Sequence, residues 1–189
     1  MSSRGTLDAG GSLRLFLALL LPTHAVEKLE RWGDRYLVRG RRIDSLHVTL
    51  AFLGARPRPE LEGIVEALRE AAAGARPFTL EPVRYRETRS VGMVVFDDPT
   101  GEATRLADRL QTRLEELGSY RREARPWLPH VTVLRFRERP RLSPPPASLP
   151  AEIGGIAPSE AAAFLSRLHP RGSAGGAQHE ILEKCSLGG

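Results

Sequence analysis

Two short stretches of this chain pair an imidazole with a hydroxyl at the same spacing. Residues 46–54 read LHVTLAFLG and residues 128–136 read LPHVTVLRF. In an extended strand alternate side chains share a face. His47 and Thr49 therefore point one way while Val48 and Leu50 point into a core, and His130 and Thr132 stand in the same relation to Val131 and Val133. Two such faces brought together give two imidazoles and two hydroxyls around a small pocket. In-line hydrolysis of a phosphodiester needs a base for the attacking water on one side of phosphorus and an acid for the leaving oxygen on the other. Histidine, with an ordinary pKa of about 6.5, fills either role close to neutral pH. Threonine hydroxyls can donate to the non-bridging oxygens, whose charge redistributes in the transition state. This chemistry calls for no metal and no cofactor. The lack of a carboxylate cluster agrees with that, since Asp97 and Asp98 precede Pro99 and read as turn residues.

The pairing of the motifs is what makes them informative. The chain has five histidines and nine threonines, so one His-x-Thr followed by an aliphatic residue is expected about 0.1 times by chance, and two are roughly a one-in-two-hundred event. A lone copy reads as a core histidine with a satisfied hydrogen bond, whereas two copies in matching halves read as a site. The other histidines lack the pattern. His24 lies near a helix start, His169 precedes Pro170 in a turn, and His179 begins a strand with no threonine two residues on. Trp32 and Trp127 read as core or rim residues, Trp127 being the nearer to the chemistry because it lies three residues before His130.

The elements that must position these residues repeat. RLFLALLLP (residues 14–22) reads as a strand stopped by proline. THAVEKLERWGDRY follows as an amphipathic helix, with Val26, Leu29 and Trp32 on one face and Thr23 as its cap. The first His-x-Thr strand spans residues 46–53 and is closed by Gly54. PELEGIVEALREAAAGA is a helix with Leu61, Ile64, Val65 and Leu68 at helical spacing, and RPFTLEPVRYRET an extended segment carrying Arg84, Arg86 and Arg89. The second half begins with the strand SVGMVVFDDP. Then comes the helix GEATRLADRLQTRLEELG, with Leu106, Leu110, Leu114 and Leu117 buried and Gly118 closing it, and the second His-x-Thr strand at 128–136. Strand ending in proline, helix, His-Val-Thr strand: the order occurs twice. An internal duplication would set the two HVT strands face to face across a pseudo-twofold axis. Residues 1–12 are small and polar and read as a flexible tail. RPRLSPPPASLPAEIGG is a proline-rich loop, and EAAAFLSRLHPRG and QHEILEKCSL a final strand pair joined by a Gly-rich turn.

Composition bounds the reading. With 189 residues, 41% hydrophobic and 27% charged, the chain can core one domain and is neither disordered nor fibrous. The net charge of +5 and pI near 10.1 suit an anionic partner such as a nucleic acid or phosphorylated metabolite. The single cysteine, Cys185, has no internal disulfide partner. No Cys/His spacing resembles a zinc site, so the thiol reads as a small core residue and the compartment as the reducing cytoplasm. The apolar run LRLFLALLLPTHA is interrupted by Arg14, preceded by Asp8 and followed by no A-x-A cleavage site. It is too short to span a bilayer and reads as a buried strand.

The paired HVTL and HVTV motifs, together with RLFLALLLP, RPWLPHVTVLR and the closing FLSRLHPRGSAGGAQHEILEKCSL, resemble the two-histidine phosphoesterase superfamily. Within it the likeness is to the RNA 2′,3′-cyclic phosphodiesterases, also described as 2′-5′ RNA ligases. The resemblance covers roughly residues 13–187. It implies an α+β fold of two pseudo-symmetric lobes, each an antiparallel sheet with outer helices, flanking a central cleft in a single bilobal domain. It further implies that His47 donates a proton to the leaving ribose oxygen and that His130 accepts one from water. Thr49 and Thr132 would hold phosphate oxygens, Arg135 would stand near the phosphate, and Phe52 would stack on a base. The reaction implied opens a 2′,3′-cyclic phosphate to a 2′-phosphomonoester. The motifs themselves are nearly symmetric and do not assign donor and acceptor.

The partners expected are therefore RNA ends or small oligonucleotides carrying a 2′,3′-cyclic phosphate, with no membrane and no obligatory protein partner. Three alternatives stay open on the residues: reversible 2′-5′ RNA ligation, a cyclic phosphodiesterase for a small nucleotide, and a non-catalytic RNA-binding module. Salt dependence separates small ligands from RNA, because contacts to several phosphates weaken steeply with salt.

Overall fold

A computed structural model describes residues 11–37, 40–136, 152–167 and 177–188. The first half runs β1 (Ser12–Leu20), α1 (Thr23–Tyr36), β2 (Arg41–Arg42), β3 (His47–Pro57), a 3-10 turn (Arg58–Glu60) and α2 (Leu61–Ala73). The second runs β4 (Glu81–Glu87), β5 (Val91–Asp97), α3 (Glu102–Glu116), β6 (His130–Arg135), β7 (Glu160–Arg167) and β8 (Gln178–Ser186). The helices and strands expected from periodicity are all present, with ends moved by a few residues. His169, most of the proline-rich segment and the Gly-rich turn lie outside the described residues.

The sheets of the two halves join into one antiparallel sheet in the order β4-β5-β6-β3-β1-β7-β8, with β2 pairing β6. The join is narrow: β3 and β6 share a single registered pair, Val48↔Val131. Each of these valines is the middle residue of its HVT motif, so the pseudo-twofold axis of the duplication passes between them. Beside this junction one face of the sheet carries a cleft.

The other face carries the helices. Strict alternation along β1 sends Leu13, Leu15, Leu17 and Leu19 into the main core and leaves Phe16, Ala18 and Leu20 on the cleft face. Leu29 and Trp32 of α1, Ile64 and Leu68 of α2, and Leu106, Leu110 and Leu114 of α3 are buried in that core, as their helical spacing predicts. The helices also interchange between halves. Trp32 of α1 packs on Tyr85 of β4 with ring centroids 5.6 Å apart, while Gln111 of α3 donates to the Leu50 carbonyl of β3 at 2.8 Å. The lobes are thus interleaved, each drawing on a helix from the other half's strand-helix-strand unit.

Two details of helix capping differ from expectation. Thr23 is the first residue of α1 rather than its cap, and Pro22 precedes the helix with no side-chain cap bond. Asp98 is more than a turn residue, since its carboxylate accepts from the Thr104 backbone N–H at 2.7 Å and the Thr104 hydroxyl at 2.8 Å. It thereby satisfies a donor at the start of α3 that Gly101 cannot reach. Gly118, with φ +70, ends α3 in the left-handed conformation that glycine adopts without penalty.

Candidate active site

With Val48 opposite Val131 in an antiparallel pair, register places His47 across from Thr132 and Thr49 across from His130. The histidines therefore occupy one diagonal of a four-residue square and the threonines the other. Diagonal neighbours on one face of such a pair stand roughly 7–8 Å apart at the backbone, which leaves room for a tetrahedral phosphorus between two imidazoles. The side-chain geometry respects the same symmetry. His47 Nδ1 lies 2.9 Å from the Ser45 carbonyl, and His130 Nδ1 lies 2.8 Å from the Leu128 carbonyl, each acceptor two residues upstream. A carbonyl only accepts, so Nδ1 bears the proton in both rings. Nε2 is left free, as a base in the neutral ring and a donor in the charged one.

Two bulges complete the square. In β3 the pairing with β1 slips between Thr49 and Ala51, so Leu50 is an extra residue. In β6 the pairing with β5 slips between Thr132 and Leu134, so Val133 is extra. Each bulge buries two successive apolar residues, Leu50 and Ala51 or Val133 and Leu134, and returns the fifth residue after the histidine to the cleft. Plain alternation would have sent Phe52 and Arg135 to the core face. Both instead line the cleft, and Phe52 is 50% exposed.

The cleft has a volume of about 720 Å³, and His47, Thr49, Thr132, Phe52 and Arg135 all line it. His130 faces an adjoining smaller cavity of about 140 Å³ that shares Thr49 and Phe52 and includes Arg86 and Trp127. Trp127 braces the site: its indole Nε1 donates to the Thr49 carbonyl at 2.9 Å, tying the segment before His130 to the opposite HVT strand. Of the arginines expected in the β4 region, Arg86 reaches this cavity, while Arg84 and Arg89 are exposed away from both cavities.

The two histidines differ in surroundings. The His47 ring meets Phe16 at 4.9 Å and Phe164 at 5.7 Å between centroids, two rings that cluster with Ala18 and Ala162 on the cleft face. Burial there pushes the His47 imidazole down to about 4. The positive charges of His179, His130 and Arg135 act in the same direction, and the Ser45 hydrogen bond opposes them. The empty site therefore holds His47 neutral at pH 7.

One neighbour was not legible in the sequence. His179, which reads there as an ordinary strand residue, packs edge-on against His47 with centroids 5.6 Å apart and against Phe16 at 4.8 Å. It lines the cleft with Arg14 and Arg41. Burial and the nearby Arg135 lower its pKa. Nothing within the β8 sequence signals this, because His179 reaches His47 only through the order β3-β1-β7-β8. Arg14 lies over the Phe52 ring at 4.8 Å, a contact set by the β1–β3 register.

Residues 21–165 match the 2′-5′ RNA ligase superfamily. A Thermus thermophilus protein named RNA 2′,3′-cyclic phosphodiesterase is 33% identical over 94% of this chain and 91% of its own length. The Escherichia coli protein of the same name is 30% identical over 70% of this chain and 77% of its own. Among solved structures, apo LigT of Escherichia coli superposes with a TM-score of 0.73 at 25% identity, covering 94% of this chain and 98% of that one. A Thermus thermophilus structure, TT0787, gives 0.74 at 27%, covering 94% and 99%. The duplicated HVT strands, the interleaved helices and the likeness along nearly the whole chain have one reading: the protein belongs to the 2′-5′ RNA ligase superfamily.

Proposed function

We propose that this chain hydrolyses RNA 2′,3′-cyclic phosphate ends to 2′-phosphomonoesters by an acid–base pair of histidines. The observation that carries the reading is the diagonal of His47 and His130, each tethered at Nδ1 and free at Nε2. Water deprotonated by His130 attacks phosphorus in line with the P–O3′ bond. As that bond breaks, the electron pair leaves on O3′, which takes the proton of His47. Thr49 and Thr132, on the other diagonal, donate to the non-bridging oxygens. Arg135 adds positive charge at the phosphate, and Phe52 offers its exposed ring to a base. His47 is neutral in the empty site, so the donor role requires that the phosphate itself raise the His47 pKa on binding. The basic balance of the chain suits an RNA end as substrate, and the reduced thiol of Cys185, buried on β8, suits a cytoplasmic protein.

The test is incubation, with chelator present, with a short RNA ending in a 2′,3′-cyclic phosphate, alongside His47→Ala and His130→Ala. A 2′-phosphate product, lost in both variants, is expected. A 3′-phosphate product, or activity retained in either variant, overturns the proposal.

A further inference from the structure

Away from the HVT square, the cleft face carries a second polar row that the hydrolytic scheme does not use. Ser166 of β7 pairs with His179 of β8. The β1–β7 register, which sets Leu15 opposite Leu165, carries Arg14 to the far side of Ser166. Arg14, Ser166 and His179 thus stand side by side across three adjacent strands, with neighbouring Cβ atoms about 5 Å apart. All three line the 720 Å³ cleft.

Part of the row is shielded yet unpaired. Arg14 Nε and His179 Nδ1 are both shielded from solvent and have no hydrogen-bond partner among the described residues, and Ser166 is only 7% exposed. Buried polar atoms without partners cost stability unless something meets them, and a guanidinium beside a hydroxyl and an imidazole, which donates from whichever nitrogen bears its proton, makes a donor set for an anion. Among the described residues two acidic side chains line the cleft, Asp44 and Glu180; Glu180 is held by Arg167 at 2.7 and 3.1 Å, which offsets its repulsion of an anion.

Position suggests which anion. The row lies on the His47 side of the square, since the His179 ring meets the His47 ring. In the proposed reaction His47 protonates O3′, so the ribose lies on that side too. From C3′ the sugar continues through C4′ and C5′ to the 5′ oxygen. We infer that Arg14, Ser166 and His179 form a subsite for the 5′-phosphate of the terminal nucleotide, so that the enzyme selects chains, or nucleotides phosphorylated at the 5′ position, over bare nucleoside cyclic phosphates. The inference rests on the proposed reaction for its polarity.

The test compares a nucleoside 2′,3′-cyclic phosphate with the same compound bearing a 5′-phosphate. In parallel, calorimetry measures binding of the two products, the nucleoside 2′-phosphate and 2′,5′-bisphosphate. The wild-type protein is expected to favour the 5′-phosphorylated member of each pair by about ten- to a hundredfold, the range of one or two charge-assisted hydrogen bonds. Arg14→Met and His179→Phe, which keep apolar packing against Phe52 and Phe16, should bring both ratios toward one, and Arg14→Lys should retain part of the preference. A wild-type ratio of one, or ratios unchanged in both variants, overturns the subsite. Product binding with the expected ratio but no turnover would instead overturn the hydrolytic reading and leave the anion row standing.

Discussion

The protonation of His47 is open to a quantitative test. At a pKa of about 4 in the empty site, roughly one molecule in a thousand carries the donor proton at neutral pH. An anion seated in the square changes that. A unit charge about 4 Å away at an effective dielectric near 20 contributes about 4 kcal/mol, which lifts an imidazole pKa by about three. Bound His47 then titrates near 7 and is substantially loaded under working conditions. Binding must therefore take up close to one proton at about pH 6, where the empty His47 is neutral and the occupied one charged. Calorimetry with a nucleoside 2′-sulfate, whose own charge is fixed through this range, reads that uptake when repeated in buffers of different ionisation enthalpy. His47→Gln should lose about one proton of uptake relative to wild type, whatever His130 contributes in both. Equal uptake in the two proteins, or an NMR titration placing His47 of the empty protein near its ordinary value, refutes the argument from burial.

Further outcomes follow from the same structure. Because folding lowers the His47 pKa from about 6.5 to about 4, the unfolded chain binds a proton that the folded one does not between these values. Its contribution is complete above the upper one, and stability falls as pH drops through the window; chemical denaturation should show this loss shrinking in His47→Phe. Gln111→Leu leaves the Leu50 carbonyl unpaired at the first bulge and should cost about 1–3 kcal/mol, with a fall in kcat if Thr49 and Phe52 depend on that bulge. Asp98→Ala removes the bonds to Thr104 and should cost about 1 kcal/mol in urea melts with KM unchanged. A Cβ on Gly92 would overlap the Tyr85 hydroxyl, so Gly92→Ala should destabilise by about 1–3 kcal/mol, read as a lowered Tm.

Much of this architecture is legible in the chain because it is local. Leu106, Leu110 and Leu114 of α3 and the alternation of β1 each state their own buried face, although Leu117, read as the fourth buried leucine, follows the helix and is 42% exposed; the HVT pairs state their chemistry through period-two geometry. What was not legible is what depends on register between distant strands. Phe52 and Arg135 stand an odd number of residues after their histidines, so alternation alone would have buried them; only the family resemblance marked them. The signal was present in the doubled apolar residues Leu50-Ala51 and Val133-Leu134, which a two-residue period cannot accommodate without a bulge. His179 joins His47 through three intervening strand pairings, and Trp32 meets Tyr85 across the interchange of helices. No window of sequence contains those contacts.

The two bulges have a consequence for direction. As far as the fifth position the frame they sit in is palindromic: two tethered histidines, two threonines and one slip of one residue in each half, related by an axis between Val48 and Val131. A ribonucleotide chain is not palindromic, and neither is a displacement that protonates one oxygen while deprotonating another. The frame leaves its fifth position free to differ, and there one half presents an aromatic ring and the other a guanidinium. Polarity in this site therefore comes from what the repeat did not copy. Exchanging the two, Phe52→Arg with Arg135→Phe, keeps every element of the frame and inverts that one pair, while Arg14, Ser166 and His179 stay on the His47 side.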